Sequence, residues 1–286
     1  MPRTSRLRRR PTLVAAVVAL PLLALAAPAT ASTGTKIVPP PPMGKFSNPT
    51  RIDNPFFPLV PGTEYFYKGT ITEAGTVTPH TVTFTVTDLT KVINGVNTRV
   101  VLDVDNTGGE VVEAELAFFA QDDNGTVWNM GEYPEEFDNG TFTGAPDTWI
   151  NGLGGAQGGI HMLAHPKVGN TYTEGLVPRI DFFDVTTVFA TGQRVCVPVN
   201  CYTNVLVTHE TSPLDPTSGT QVKYYVPGVG LIKVGAIGGD SQERLVLASL
   251  RHLGASALQA VDQQVRMMDR RGHRVSNVYA RTAPVQ

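Results

Sequence analysis

Cysteine is scarce in this 286-residue chain, which has only Cys196 and Cys201. Two cysteines close the class of all-cysteine zinc centres, and "CVPVNC" between extended segments reads as a disulfide pinning a turn. Long apolar runs are missing too. Beyond residue 27 nothing approaches the roughly 18 consecutive apolar residues a membrane helix needs, so no stable membrane insertion is expected. No G-x-S-x-G nucleophile elbow occurs, and "GLGGAQGG" lacks the strand-to-helix setting of a phosphate loop. No cofactor signature is present, and none is expected. Basic charge is also thin: residues 1–31 hold five of the 23 basic residues and none of the 25 acidic ones, so the formal charge moves from −2 for the whole chain to −7 without them. Seven arginines crowd into 244–286 against Asp262 and Asp269, which leaves the preceding segment strongly acidic and ill-suited to nucleic acid. The basic tail is either a solvated helix face or a patch for an anionic surface.

The N-terminus runs from Arg3, Arg6, Arg8, Arg9 and Arg10 through an apolar stretch from Leu13 to Ala27, broken by Pro21, to Ala29-Thr30-Ala31. That order is a secretory signal peptide over 1–31, by the general or the twin-arginine route, and predicts a secreted protein. Residues 32–50, with "PPPP" at 39–42, form a proline-rich spacer. A β domain follows over 51–253. In "HTVTFTVTD", Val82, Phe84 and Val86 share one face against threonines, the period-two pattern of a half-buried strand. "NG" at 94–95, "DDNG" at 122–125 and "PG" at 227–228 mark turns, and about ten strands fit between 63 and 250. Without helical crossovers, the fold class is mainly β, an antiparallel barrel or half-barrel. Residues 254–286 carry one amphipathic helix, capped by Ser256 with Gln259, striped by Leu258, Val261, Val265 and Met268 and ended before Gly272.

The acid-rich "QDDNGTVWNMGE" at 121–132 lacks the alternating oxygen ligands of a calcium loop. Asn124-Gly125 suits a two-residue type I′ turn instead. That turn pairs Gln121 with Trp128, Phe119 with Met130 and Ala117 with Glu132, and places Glu113, Glu115, Phe119, Trp128, Met130 and Glu132 on one face. Such a face either lines a ligand cavity, with Phe119, Trp128, Met130 and Glu132 as ligand-binding residues, or is covered by the N-terminal segment or the helix. Glu132, Glu113, Glu115 and His161 are the catalytic candidates, because paired carboxylates near aromatics do acid–base chemistry. His161 and His165 have the i, i+4 spacing of a zinc helix, but no glutamate follows the first and Pro166 opposes helix; the pair is expected to hold no structural metal.

"NPFFPLVPGTEYFY", "AQDDNGTVWNMGE", "HPKVGNTY" and "YYVPGVGLIKVG" together resemble an uncharacterised group of secreted bacterial proteins, over about residues 50–240. In that group the strand before the turn usually carries an acid at the position of Ala117, and many members lack His161. The "YYVPGVGL" strand is also similar to the closing strands of periplasmic half-barrel lipoproteins that hold apolar cargo. The expected function is binding of a small, partly apolar ligand in a cavity of aromatics and carboxylates. The alternatives are an extracellular hydrolase or lyase using Glu/His chemistry and a structural envelope protein.

Overall fold

The computed structural model describes residues 37–286; the signal peptide expected over 1–31 lies outside them. The strands are β1 (Thr63–Glu73), β2 (Thr76–Ile93), β3 (Val96–Thr107), β4 (Glu110–Gln121), β5 (Val127–Asp138), β6 (Thr141–Gly144), β7 (Trp149–Ile150), β8 (Gln157–Met162), β9 (Thr171–Val177), β10 (Phe182–Val197), β11 (Asn200–Thr211), β12 (Thr220–Val226), β13 (Gly230–Ile237) and β14 (Ser241–His252); one helix, α1 (Ala255–Val275), follows. Twelve of them close a ring, β4-β3-β2-β1-β14-β13-β12-β11-β10-β9-β8-β5, because β5 pairs back with β4, while β6 and β7 pair outside it on β5. The barrel is closed and antiparallel, with more strands than the turn signals suggest. Closure leaves no free edge in the ring.

Several joints follow local chemistry. Asn94 and Gly95 both have positive φ, 48° and 78°, and connect Ile93 to its partner Val96 as a two-residue turn must. Cys196 and Cys201 pair across the tip of the β10–β11 hairpin and are joined by a disulfide. Within β1, a side chain at Gly69 would sit 1.7 Å from the Arg244 carbonyl, so only glycine lets β14 approach.

Two segments without strands finish the barrel. Residues 37–50 lie along its wall: Asp123 N–H donates to the Lys45 carbonyl (2.8 Å) and Gln121 N–H to that of Pro49 (2.9 Å). The "NPFFP" stretch caps one end and inserts Phe57, which is buried among Phe84, Phe119 and His161. Asn54 pins this plug by donating from Nδ2 to the carbonyls of Gly125 (2.9 Å) and Leu163 (3.0 Å).

The helix departs from its sequence reading at both ends. Gly254, not Ser256, is the N-cap, and no side chain caps it. Gly272 lies inside the helix rather than beyond it, since a Cβ there would meet the Tyr279 and Tyr133 rings at 2.7 and 3.0 Å; close packing, not termination, requires this glycine. Val265 and Met268 are buried against the barrel. The tail then folds back and Gln286 exchanges backbone hydrogen bonds with Thr90. Beneath it Lys91, fully buried, donates to Asp269 (2.8 Å) and to the Ala283 carbonyl (2.6 Å) and stands 4.2 Å from the Tyr279 ring centroid. Asp269 also accepts from the Tyr279 hydroxyl and Val285 N–H. Replacing Asp269 by Ala strands the Lys91 ammonium in an apolar site, so denaturant unfolding should show a loss of about 3–5 kcal/mol. A loss below about 1 kcal/mol would mean that the helix and tail dock without this bridge.

Candidate functional site

The acid-rich turn is a loop built around one carboxylate. Asp122 Oδ1 accepts from the N–H groups of Asn124 and Thr126, and Oδ2 accepts from Trp128 Nε1 at 3.0 Å. Asp123 accepts from Ser47 N–H and Oγ–H, which ties the N-terminal segment to the turn. Gly125 has positive φ but Asn124 does not, so the type I′ turn expected at Asn124-Gly125 is not formed. The loop is longer, and Gln121 pairs with Val127.

This length changes the faces. Ala120 pairs with Trp128 and Phe119 with Asn129; a bulge then passes over Met130 before Phe118 pairs with Gly131 and Ala117 with Glu132. Of the three expected pairs, only Ala117–Glu132 forms. Because neighbouring strand residues point to opposite faces, Trp128 shares the outward face of Ala120, while Asn129 and Glu132 share the inward face of Phe119 and Ala117. The expectation that Trp128 and Met130 line a cavity with Glu132 is therefore corrected. Both are buried in the barrel wall, and neither borders the central cavity. Glu113 is half-buried opposite Asp105 and Glu136, away from that cavity. His165 is exposed in the loop after β8, whereas His161 points inward from that strand, so the two imidazoles do not share a face.

The cavity brings together Glu115 and Phe119 of β4, Asn129 and Glu132 of β5, His161 of β8, Glu174 of β9, Phe182 and Asp184 of β10, Glu210 of β11 and Lys223 of β12. Its free space admits about one or two water-sized groups. Glu132 is held at both ends: Oε1 accepts from Asn129 Nδ2 (2.6 Å) and Oε2 from Trp149 Nε1 (3.0 Å). Trp149 of β7, not Trp128, is thus the tryptophan that serves this carboxylate. Glu174 is itself a bulge residue, since Asp184 pairs with Gly175 and Val185 with Thr173. No turn signal marks that bulge, which is why sequence reasoning missed Glu174.

Lys223 Nζ donates to Glu210 Oε2 at 2.6 Å, and the Thr186 hydroxyl donates to Glu174. Burial alone would push the Lys223 ammonium down, but the neighbouring Glu210 and Glu174 carboxylates outweigh it and hold it charged. Burial and the charge of Glu174 raise the Glu210 carboxyl to about 7, and burial raises Glu174 as well. His161 is driven well below its ordinary value by burial and by the Lys223 charge, so its ring is neutral. It packs between Phe57 and Phe119, with ring centroids at 4.4 and 5.0 Å. Neither ring nitrogen has a hydrogen-bond partner among the described residues, and Glu174 Oε2 stands 3.4 Å from Nδ1. The chemistry available is a proton shared by two carboxylates beside a fixed ammonium and a neutral imidazole.

No family model and no curated protein matches the chain. Among solved structures it is similar to a "putative exported protein with YmcC-like fold" from Bacteroides fragilis NCTC 9343, at 14% identity over 68% of this chain and 98% of that one, with a TM-score of 0.32. It is also similar to a "putative lipoprotein" from Parabacteroides distasonis ATCC 8503, with the same identity and coverage and a TM-score of 0.31. Within the described residues no helix is long and apolar enough to cross a membrane.

The raised Glu210 carboxyl has a stability consequence of definite sign. Its proton is bound more tightly in the folded than in the unfolded chain, so its contribution is complete below about pH 4.5 and is lost as pH rises through about 7. Glu210→Gln mimics the protonated group. Comparing unfolding free energies at pH 5 and pH 8, the wild-type chain should lose up to about 3 kcal/mol that the variant retains. Parallel pH profiles for the two chains would contradict this protonation.

Proposed function

We propose that this chain is an exported barrel that binds a small amine-bearing solute, its cationic head seated in the cavity around His161. The observation that carries the reading is His161: a buried imidazole with neither nitrogen hydrogen-bonded costs free energy, and a donor entering the cavity would remove that cost. The lining favours a cation, since Glu115, Glu132, Glu174, Asp184 and Glu210 face a single ammonium, Lys223. The polar lining moves the reading from the partly apolar ligand expected of the sequence towards a small, hydrogen-bonding one. Export rests on the basic, apolar and small-residue order of residues 1–31.

An acid–base enzyme is the second reading, supported by Glu210 with its carboxyl near neutrality beside Glu174. In that reading Glu210, rather than Glu132 with both oxygens engaged, moves the proton.

Thermal unfolding with methylammonium chloride, against sodium chloride at equal ionic strength, tests the binding reading. The midpoint should rise by roughly 5–10 °C near a hundredfold excess over Kd, and the rise should vanish in His161→Leu. Equal midpoints in amine and sodium salts, or an undiminished rise in the variant, would count against a cavity ligand.

A further inference from the structure

A second cluster lies on another part of the barrel's inner wall, outside the cavity around His161. His80 of β2, Asp105 of β3 and Glu243 of β14 each offer a ligand atom, and these atoms all lie within 4.8 Å of one another. His80 Nε2 is 3.1 Å from Glu243 Oε1 and 3.9 Å from Asp105 Oδ2. All three residues are at most 3% exposed. We propose that His80, Asp105 and Glu243 form a binding site for one divalent transition-metal ion, of the zinc class.

The barrel is shaped for this meeting. Strand β1 runs between β2 and β14, and its residue opposite both His80 and Leu245 is Gly69. A Cβ there would meet the Arg244 carbonyl at 1.7 Å, so glycine lets β14 come close to β1 beside His80, and a histidine and a glutamate from strands that do not pair meet across β1. Asp105 enters from β3, where it is opposite Val82, one step along the inner face from His80.

Spacing and orientation fit a metal. Ligands about 2.0–2.2 Å from a zinc ion stand roughly 3–3.6 Å apart. The His80–Glu243 pair already does, and the remaining separations, all within 4.8 Å, close to that range with a side-chain shift of up to about an ångström. His80 Nδ1 is 2.9 Å from the Thr107 hydroxyl, which can accept its proton and leave the Nε2 lone pair toward the two carboxylates. Gln221 Nε2 donates to Glu243 Oε2 (3.0 Å), holding the far oxygen and leaving Oε1 for an ion. The Gln221 Oε1 atom is itself buried with no hydrogen-bond partner among the described residues.

Charge points the same way. Two buried carboxylates this close repel each other, and a divalent ion held between them and the imidazole offsets that repulsion. The imidazole ligand selects zinc and its neighbours over calcium or magnesium, which take oxygen shells.

The full chain, stripped with chelator and dialysed against zinc, should retain about one equivalent by elemental analysis. Zinc should raise the thermal midpoint by several degrees, and magnesium should not. X-ray absorption at the zinc edge should read one imidazole and otherwise oxygen ligands. His80→Asn and Glu243→Gln should lose the retained metal, while His161→Leu keeps it, which separates this site from the amine cavity. The spectrum of the wild-type chain decides the matter even if those variants fail to fold. No retained zinc, two or more imidazoles at the metal, or undiminished retention in a folded His80→Asn or Glu243→Gln variant would overturn the assignment.

Discussion

The barrel's interior depends on one buried ammonium. Lys223, 3% exposed, stands on β12 facing the carboxylates of Glu210, Glu174 and Asp184, and its 2.6 Å contact with Glu210 is the centre of that network. A hydrocarbon-filled barrel would be held by area burial alone. This one encloses acids from five strands around its cavity, and their mutual repulsion in a poorly screened interior must be offset by a cation or by protons. Lys223 supplies the first and the shared proton of Glu174 and Glu210 the second. Burial, reinforced by the same ammonium, keeps His161 neutral, so the imidazole and Lys223 belong to one electrostatic arrangement.

Backbone irregularity puts those groups where they are. The bulge at Met130 turns Asn129 and Glu132 inward and leaves Trp128 in the outer wall, and the bulge at Glu174 aims that carboxylate at Thr186 and the cavity. Glycines do the complementary work. A Cβ at Gly159 would meet the Thr173 carbonyl at 2.2 Å, and one at Gly175 would meet the Phe182 ring at 2.5 Å, so β8, β9 and β10 close tightly only with glycine at these points. The plug at Asn54–Leu59 then shuts one end and presses Phe57 on His161.

How much of this could be read from residues depends on the element. The alternation in "HTVTFTVTD" made β2 legible, the short spacing in "CVPVNC" made the disulfide legible, and the stripe ending in Val265 and Met268 made the helix legible. Register was harder. Asn124-Gly125 has the composition of a two-residue turn, yet Asp122 organises a longer loop through three hydrogen bonds, and a one-residue slip exchanges the faces of a strand. Glu115, Phe119 and Glu132 were legible as inward candidates because the residues of β4 alternate, and His161 stood out through its i, i+4 spacing to His165. Glu174, Glu210 and Lys223 were not, since each sits in a polar stretch that reads as a solvated strand face. His80, Asp105 and Glu243 are up to 163 residues apart, and nothing local announces that they will meet.

The measurement that goes most directly to the central claim is unfolding of Lys223→Met at two pH values. If the ammonium offsets the enclosed acids, its loss should cost about 3–5 kcal/mol at pH 8, where Glu210 and Glu174 are both pressed to ionise, and distinctly less at pH 5.5. Adding Glu210→Gln should recover most of the difference. A small, pH-independent loss with no recovery in the double variant would contradict the account.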